Sequence, residues 1–115
     1  MRYHPRVRAE QHTLDAFLEA LAAKSPTPGG GAVAPVIGAH AAALASMVVA
    51  YSLGRKSLAA HQPALESAAA RLVELRRRLL DLAEADAAAY ARLNEAMRLP
   101  AADPARAGIP GLPPL

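Results

Sequence analysis

A single aspartate interrupts an otherwise apolar helical pattern in the C-terminal half of the chain. Between residues 65 and 96, apolar side chains recur at two positions of every seven, and nine of these ten positions are apolar. The exception is Asp86, which has no cation one turn away on its own helix. A carboxylate on such a stripe must find a partner on another helix, be held neutral, or line a cavity. Asp86 is therefore a candidate catalytic acid or base; a structural ion pair and a solvent-exposed helix end are the alternatives.

The second candidate feature is the loop KSPTPGGGAVAPV at residues 24–36. Its first two prolines fix φ and favour extended conformations in the residues before them. Gly29, Gly30 and Gly31 then allow close approach to the bare backbone at the start of a predicted helix. Such an end presents unpaired N–H groups and a partial positive charge, which suits an anion or a polar heterocycle. No Gly-Lys-Ser/Thr follows, so this is not a Walker-type phosphate loop, and close helix packing is the alternative use of the glycines.

Metal and thiol chemistry find little support in the sequence. The chain has no cysteine, which excludes disulfides, thiolate catalysis and cysteine-ligated metals. His40 falls on the apolar face of the predicted second helix, where a lone histidine is more often a hydrogen-bonded core residue than a ligand. No His, Asp or Glu stands three or four residues from it, so we predict no metal site, and the role of His40 stays open.

Three helices must position these residues. The apolar spacing predicts helices over about 13–23, 31–53 and 63–97. Thr13 is a suitable N-cap for the first, Gly54 a suitable terminator for the second, and Pro63 fits the first turn of the third. We divide the chain into a basic N-terminal segment (1–12), a helical domain (13–98) and a tail rich in proline and glycine (99–115).

The predicted fold is an all-α bundle of about three helices with one very long helix, completed by oligomerisation. A helix of 35 residues is about 50 Å long, whereas a compact domain of this size has a radius of gyration near 13 Å. Two shorter helices do not cover that length of apolar stripe. We therefore expect a homodimer or a larger assembly of identical subunits.

Neither a membrane nor a nucleic acid is expected as a partner. Residues 32–53 carry no formal charge and are long enough to cross a bilayer, but Ala, Gly and Ser dominate them. A soluble helix surrounded by other helices is the preferred interpretation. The arginines at 76–78 are expected on a solvated face, with Glu74–Arg78 and Arg77–Asp81 as i,i+4 ion pairs. The first dozen residues lack the apolar core of a secretory signal, and we expect a cytoplasmic protein.

Two stretches together resemble a known family. These are FLEALAAKSPTPGGGAVAPVIGAHAAALASMVVAYSLGRK and, on the long helix, LAEADAAAY. They resemble the cyclodeaminase/cyclohydrolase family, which comprises the C-terminal domain of formiminotransferase-cyclodeaminase and free-standing bacterial methenyltetrahydrofolate cyclohydrolases. The resemblance covers about residues 13–100 and rests mainly on S-P-T-P-G-G-G followed by G-R-K. It implies an all-helical dimer that handles a one-carbon tetrahydrofolate derivative in a cleft associated with the subunit interface.

The resemblance also assigns roles to individual residues. It implies Asp86 as the catalytic residue and a contact from the basic turn of Arg55 and Lys56 to the glutamate tail of folate. The other residues that it places in folate binding are Ser25, Thr27, Gly29, Gly30, Gly31 and Tyr90. Pro35 and His40 depart from the small or aliphatic residues usual there and suggest a kink in the second helix. The tail after Leu99-Pro100 also departs from the family, which continues with further helices.

Two reactions fit these residues. In the cyclodeaminase reaction, N10 of 5-formiminotetrahydrofolate attacks the formimino carbon and ammonia leaves, which requires a general acid. In the cyclohydrolase reaction, water adds to the methenyl carbon, which requires a base. The sequence does not choose between them. The alternative is a shortened, non-catalytic module for oligomerisation or folate binding.

Overall fold

The structure, a computed structural model, describes residues 2–4, 6–100 and 102–104 of the 115-residue chain. It contains three α-helices: α1 (Leu14–Ala22), α2 (Gly30–Ser52) and α3 (Gln62–Met97). Two short 3-10 helices, Ala9–Gln11 and Lys56–His61, precede α1 and α3, and no strand occurs among the described residues. The predicted all-α fold with one very long helix is confirmed, and most of the predicted tail lies outside the described residues.

The helix ends follow local chemistry that the sequence indicates. The Thr13 side chain accepts a hydrogen bond from the amide of Ala16 at 3.0 Å, as expected of an N-cap. After α2, Gly54 adopts a φ of 77°, a left-handed conformation that favours glycine. The Gln62 side chain then accepts from the Gly54 amide at 2.9 Å and donates to the Ser52 carbonyl at 3.2 Å. These contacts hold the turn that returns the chain along α2.

Helices α2 and α3 pack antiparallel and very closely. A Cβ built on Gly38 would lie 3.2 Å and 3.3 Å from the two methyl carbons of Leu79. One heptad away along each helix, in opposite directions, Gly31 lies against Asp86. Glycine therefore permits the contact at two successive heptad positions of α2, and this contact sets the register between the two helices.

The buried core of this single chain is small and consists almost wholly of alanine. Its residues are Ala16, Phe17, Ala32, Ala39, Ala42, Ala83 and Ala96. The predicted apolar stripe of α3 divides: Leu79 packs against α2, whereas Leu75 and Leu82 stay 42% and 57% exposed. The radius of gyration is 19.6 Å, well above the roughly 13 Å of a compact domain of about 100 residues.

The expectation that α2 is surrounded by other helices is wrong for the single chain. Only 17% of its most apolar stretch is buried, and α2 is long and apolar enough to cross a membrane by length and composition. Such a helix is weak grounds for a membrane span, because core helices of soluble proteins pass the same test. The kink suggested at Pro35 does not interrupt the helix, which continues from Gly30 to Ser52.

The N-terminal segment is folded against α3. Arg8 bonds to Glu10 and to Asp81, both at 2.6 Å, and Arg77 reaches Glu10 at 3.2 Å. Arg77 and Asp81 therefore pair with this segment rather than with each other. Burial acts to raise the pKa of the Glu10 carboxyl, but its backbone hydrogen bond, the Arg8 hydrogen bond and the charges of Arg8 and Arg77 outweigh it, so that pKa lies below its ordinary value.

Replacing Gly38 by valine should destabilise the fold by roughly 1–3 kcal/mol, because the added methyl groups overpack the contact with Leu79. Urea denaturation measures the change. Gly30→Val is the control, since no atom of the described residues lies within 4 Å of a Cβ built there. Equal losses of stability in both variants would contradict the role of the Gly38–Leu79 contact in setting the register.

The Glu10 network predicts a specific pH dependence. A carboxylate with a lowered folded pKa contributes stability above its unfolded pKa, near 4.5, and loses it as pH falls through the folded value. The stability difference between wild type and Glu10→Gln should therefore be largest near pH 6 and shrink towards about pH 3. Urea unfolding at both pH values measures it. Glu19→Gln, an exposed position on α1, should show no such trend.

Candidate functional site

A cavity of about 250 Å³ lies between the loop that precedes α2 and the C-terminal half of α3. The antiparallel register places Asp86 at this point, beside the first turn of α2. The cavity unites six of the nine residues predicted for the site. Its lining residues are Pro26, Thr27, Pro28, Gly29, Gly30, Gly31, Ala32, Asp86, Ala87 and Tyr90.

The Asp86 carboxylate lies directly over Gly31. Any Cβ at position 31 would overlap both carboxylate oxygens and Cγ of Asp86, so residue 31 must lack a side chain while Asp86 holds this position. Over the part of the chain that the structure describes, Asp86 has neither a hydrogen-bond partner nor an ion-pair partner. Its side chain is exposed, so the interpretation as a buried ion pair is not supported within one chain.

The first turn of α2 adds backbone donors and an acceptor to the cavity. The amides of Ala32 and Val33 donate to the Gly29 carbonyl, whereas those of Gly30 and Gly31 have no backbone partner among the described residues. This end of the helix also carries the positive end of the helix dipole. Proline at position 35 has no N–H, so the carbonyl of Gly31 loses its usual helical partner. The residues that line the cavity thus offer backbone donors, a carbonyl acceptor and a carboxylate, which are the groups that bind a polar heterocycle with an amide edge.

The glycines of the loop at 29–31 are needed because other groups approach the backbone closely there, and not because the backbone adopts a positive φ. Gly29 is extended, with φ of −129° and ψ of −166°, and Gly54 has the positive φ found among the described glycines. Gly31 admits the carboxylate, and the open space at Gly30 leaves its backbone accessible to a ligand. Tyr90 lies one turn beyond Asp86 on the same wall.

Ser25 acts on the shape of the loop and does not line the cavity. Its hydroxyl donates to the carbonyl of Thr27 at 3.0 Å, and its amide bonds to the carbonyl of Ala23. Pro28, one of the two prolines that the sequence predicts to stiffen the loop, is buried and lies in the cavity wall. The predicted ligand loop is therefore held by its own hydrogen bonds and by one buried ring.

Arg55 and Lys56 lie at the opposite end of α2. A helix of 23 residues is about 34 Å long, so one chain does not bring these cations to its own cavity. Both are exposed, and neither has a side-chain partner among the described residues. Arg55 and Lys56 therefore lie apart from the glycine loop of the same chain, and their contact with the glutamate tail of folate stays a prediction.

His40 belongs to a different part of the molecule. Its Nδ1 donates to the carbonyl of Val36 at 2.7 Å, one turn earlier on α2. It lines a second, mostly apolar cavity of about 300 Å³ beneath the N-terminal segment, which the sequence did not predict. No group of three His, Asp or Glu side chains suited to a metal occurs in the described residues, and the absence of a metal stays a prediction.

Comparison with known proteins places these features in one family. The family model described as formiminotransferase-cyclodeaminase matches residues 13–108. The chain is 36% identical over 92 residues to a methenyltetrahydrofolate cyclohydrolase of Methylorubrum extorquens, a match that covers 80% of this chain. It is 38% identical over 99 residues to the formimidoyltransferase-cyclodeaminase of Mus musculus, covering 79% of this chain.

The chain spans only part of these relatives, 44% of the bacterial protein and 18% of the mouse protein. No solved structure matches it. The matched residues include the glycine loop, both long helices and Asp86. The chain belongs to the formiminotransferase-cyclodeaminase family.

Proposed function

We propose that this protein catalyses a one-carbon conversion of a tetrahydrofolate derivative, with hydrolysis of the 5,10-methenyl form as the preferred reaction. The observation that carries the proposal is the position of Asp86 over the first turn of α2, in a cavity lined by the glycine loop. Its carboxylate is exposed and has no ion-pair partner among the described residues. Membership in the family supplies the substrate class, since the relatives named above are a cyclohydrolase and a cyclodeaminase.

The exposed carboxylate favours the hydrolytic reaction. Water adds to the electrophilic methenyl carbon while Asp86 accepts one of its protons. That proton then passes to the ring nitrogen whose bond to the carbon breaks. The remaining hydroxyl proton of the adduct is released to solvent as the C=O bond forms, and a formyl group remains on the other nitrogen. A carboxylate reached by solvent is placed to take a proton from water. The acid needed by the cyclodeaminase reaction is better served by a buried carboxyl, which makes that reaction the second candidate.

The first turn of α2 and the loop would bind the heterocycle. Free N–H groups of the turn donate to its carbonyl oxygen, and the Gly31 carbonyl accepts from its N–H or amino groups. Thr27 and Tyr90 flank the same space. Ser25 contributes by holding the loop in shape through the Thr27 carbonyl.

A non-catalytic folate-binding or oligomerisation module is the competing function. Such a module would have the same helical fold and the same cavity, but it would not convert the bound folate. Purified protein should change the absorbance of 5,10-methenyltetrahydrofolate, and ammonia release from the formimino substrate tests the cyclodeaminase reaction. Binding of a folate analogue, with neither the absorbance change nor the release of ammonia, would favour the non-catalytic module.

Replacing Asp86 by asparagine should lower turnover by about 10²-fold or more, because the side chain keeps its shape and loses its basic oxygen. Stability should stay close to wild type, since the carboxylate is exposed and has no cationic partner among the described residues. Absorbance kinetics and urea denaturation on the same sample measure both effects. An unstable variant with normal turnover per folded molecule would refute the catalytic role.

Replacing Gly31 by alanine should displace the Asp86 carboxylate and lower turnover, by up to about 10²-fold for a shift near 1 Å. In the Asp86→Asn background the same change should add no further loss, because the group that it displaces is already absent. Additive losses in the double variant would mean that Gly31 acts independently of Asp86.

A further inference from the structure

The second cavity, of about 300 Å³, lies between the N-terminal segment and the three helices. It shares no lining residue with the Asp86 cavity. Each helix contributes apolar side chains to its walls. These apolar residues of the helices are Leu14, Phe17, Val36, Ala39, Ala43 and Leu80. The volume is near the lower end of the range found for ligand sites, so the cavity suits a small ligand built on a single ring.

The N-terminal segment forms one wall of this cavity and is fixed in place. The Arg8 guanidinium ties the segment to Asp81 of α3 at 2.6 Å. The Tyr3 ring stacks on His12, with ring centroids 4.2 Å apart, and meets Phe17 of α1 edge-on at 6.2 Å. The cavity is therefore formed before any ligand enters it, which reduces the ordering cost of binding.

Two histidines in the lining of this cavity each keep one ring nitrogen as a hydrogen-bond acceptor. His12 donates from Nε2 to the carbonyls of His4 and Val7, at 2.9 Å and 3.2 Å, so Nδ1 carries the lone pair of the neutral ring. That Nδ1 is buried and has no hydrogen-bond partner among the described residues. His40 donates from Nδ1 to Val36, which leaves its Nε2 as the acceptor. A ligand that brings a donor would supply a bond that the chain itself does not make.

One cation in the lining has no counter-charge. Arg76 makes no ion pair and no side-chain hydrogen bond within the part of the chain that the structure describes. The carboxylate of Glu10 in the same lining is already bonded to Arg8 and Arg77. The lining therefore has an excess positive charge at Arg76, and a guanidinium binds a carboxylate well.

We infer that this cavity is a second ligand site, for a small acid that has an apolar ring, a carboxylate and a hydroxyl or amino donor. The ring packs against the apolar walls, the carboxylate pairs with Arg76, and the donor bonds to a free imidazole nitrogen of the lining. Each part of the ligand answers a separate feature of the cavity. The inference does not rest on the proposed function, because none of these residues lines the Asp86 cavity.

Three related compounds test the chemistry of the site. 4-Hydroxybenzoate has the ring, the carboxylate and the donor, whereas benzoate lacks the donor and phenol lacks the carboxylate. Titrated into the full chain, 4-hydroxybenzoate should shift the NMR methyl resonances of Val36 and Leu80 saturably, with a Kd of about 1 mM or below. Benzoate and phenol should each bind about five-fold more weakly. No saturable shift, or equal affinity for all three compounds, would overturn the inference.

Two pairs of variants test the location of the site. Arg76→Gln should weaken 4-hydroxybenzoate about five-fold and leave phenol unchanged, because only the carboxylate meets the guanidinium. Arg78→Gln, at an exposed arginine outside the lining, is the matched control. Ala43→Leu should weaken all three compounds by occupying part of the cavity, whereas Ala50→Leu, exposed one heptad further along α2, should not. Equal losses from the two arginine variants would indicate long-range charge attraction and overturn the inference.

The histidine side chains report on the donor. The ring ¹⁵N resonances of His12 or His40 should move when 4-hydroxybenzoate binds, and much less with saturating benzoate; movement of neither would refute the predicted donor contact. Asp86→Asn should bind 4-hydroxybenzoate as wild type does, since Asp86 lies outside the lining. These measurements do not use turnover, so the site can be confirmed even when the proposed reaction fails. Loss of binding in Asp86→Asn would assign the compound to the other cavity and overturn the inference.

Discussion

The close approach of α2 and α3 at Gly38 and Leu79 determines where the candidate site lies. Because Gly38 has no side chain, the leucine packs directly against the backbone of α2, and the two helices are held in one antiparallel register. One heptad further along, the same register brings Asp86 to Gly31. A shift of either helix by one turn would separate the carboxylate from the glycine loop.

The position of Asp86 in an apolar heptad follows from where α2 begins. At the preceding heptad position of α3, Leu79 meets the middle of α2, where an apolar side chain is required. Asp86 meets the first turn instead, where unpaired N–H groups and the helix dipole favour a carboxylate. The break in the apolar pattern therefore marks the end of the helix that it packs against, and the proposed base is located there.

The alanine core allows the helices to pack closely, and it also limits how much burial stabilises the fold. Small side chains let the helices approach closely but bury little apolar area, and burial of apolar surface is the main stabilising term in folding. Leucine, isoleucine, valine and tyrosine side chains meanwhile stay exposed on α2 and α3. The same small residues that form the cavity thus leave an apolar surface exposed on the single chain.

The sequence by itself determined the helices and their ends, because capping residues, glycine, proline and apolar spacing act locally. It also identified Asp86 and the glycine loop, since each breaks a local pattern. It did not reveal that Gly31 contacts Asp86 or that Arg8 pairs with Asp81. Both contacts join residues far apart in the chain, and only the tertiary packing of α3 against α2 and against the N-terminal segment decides them.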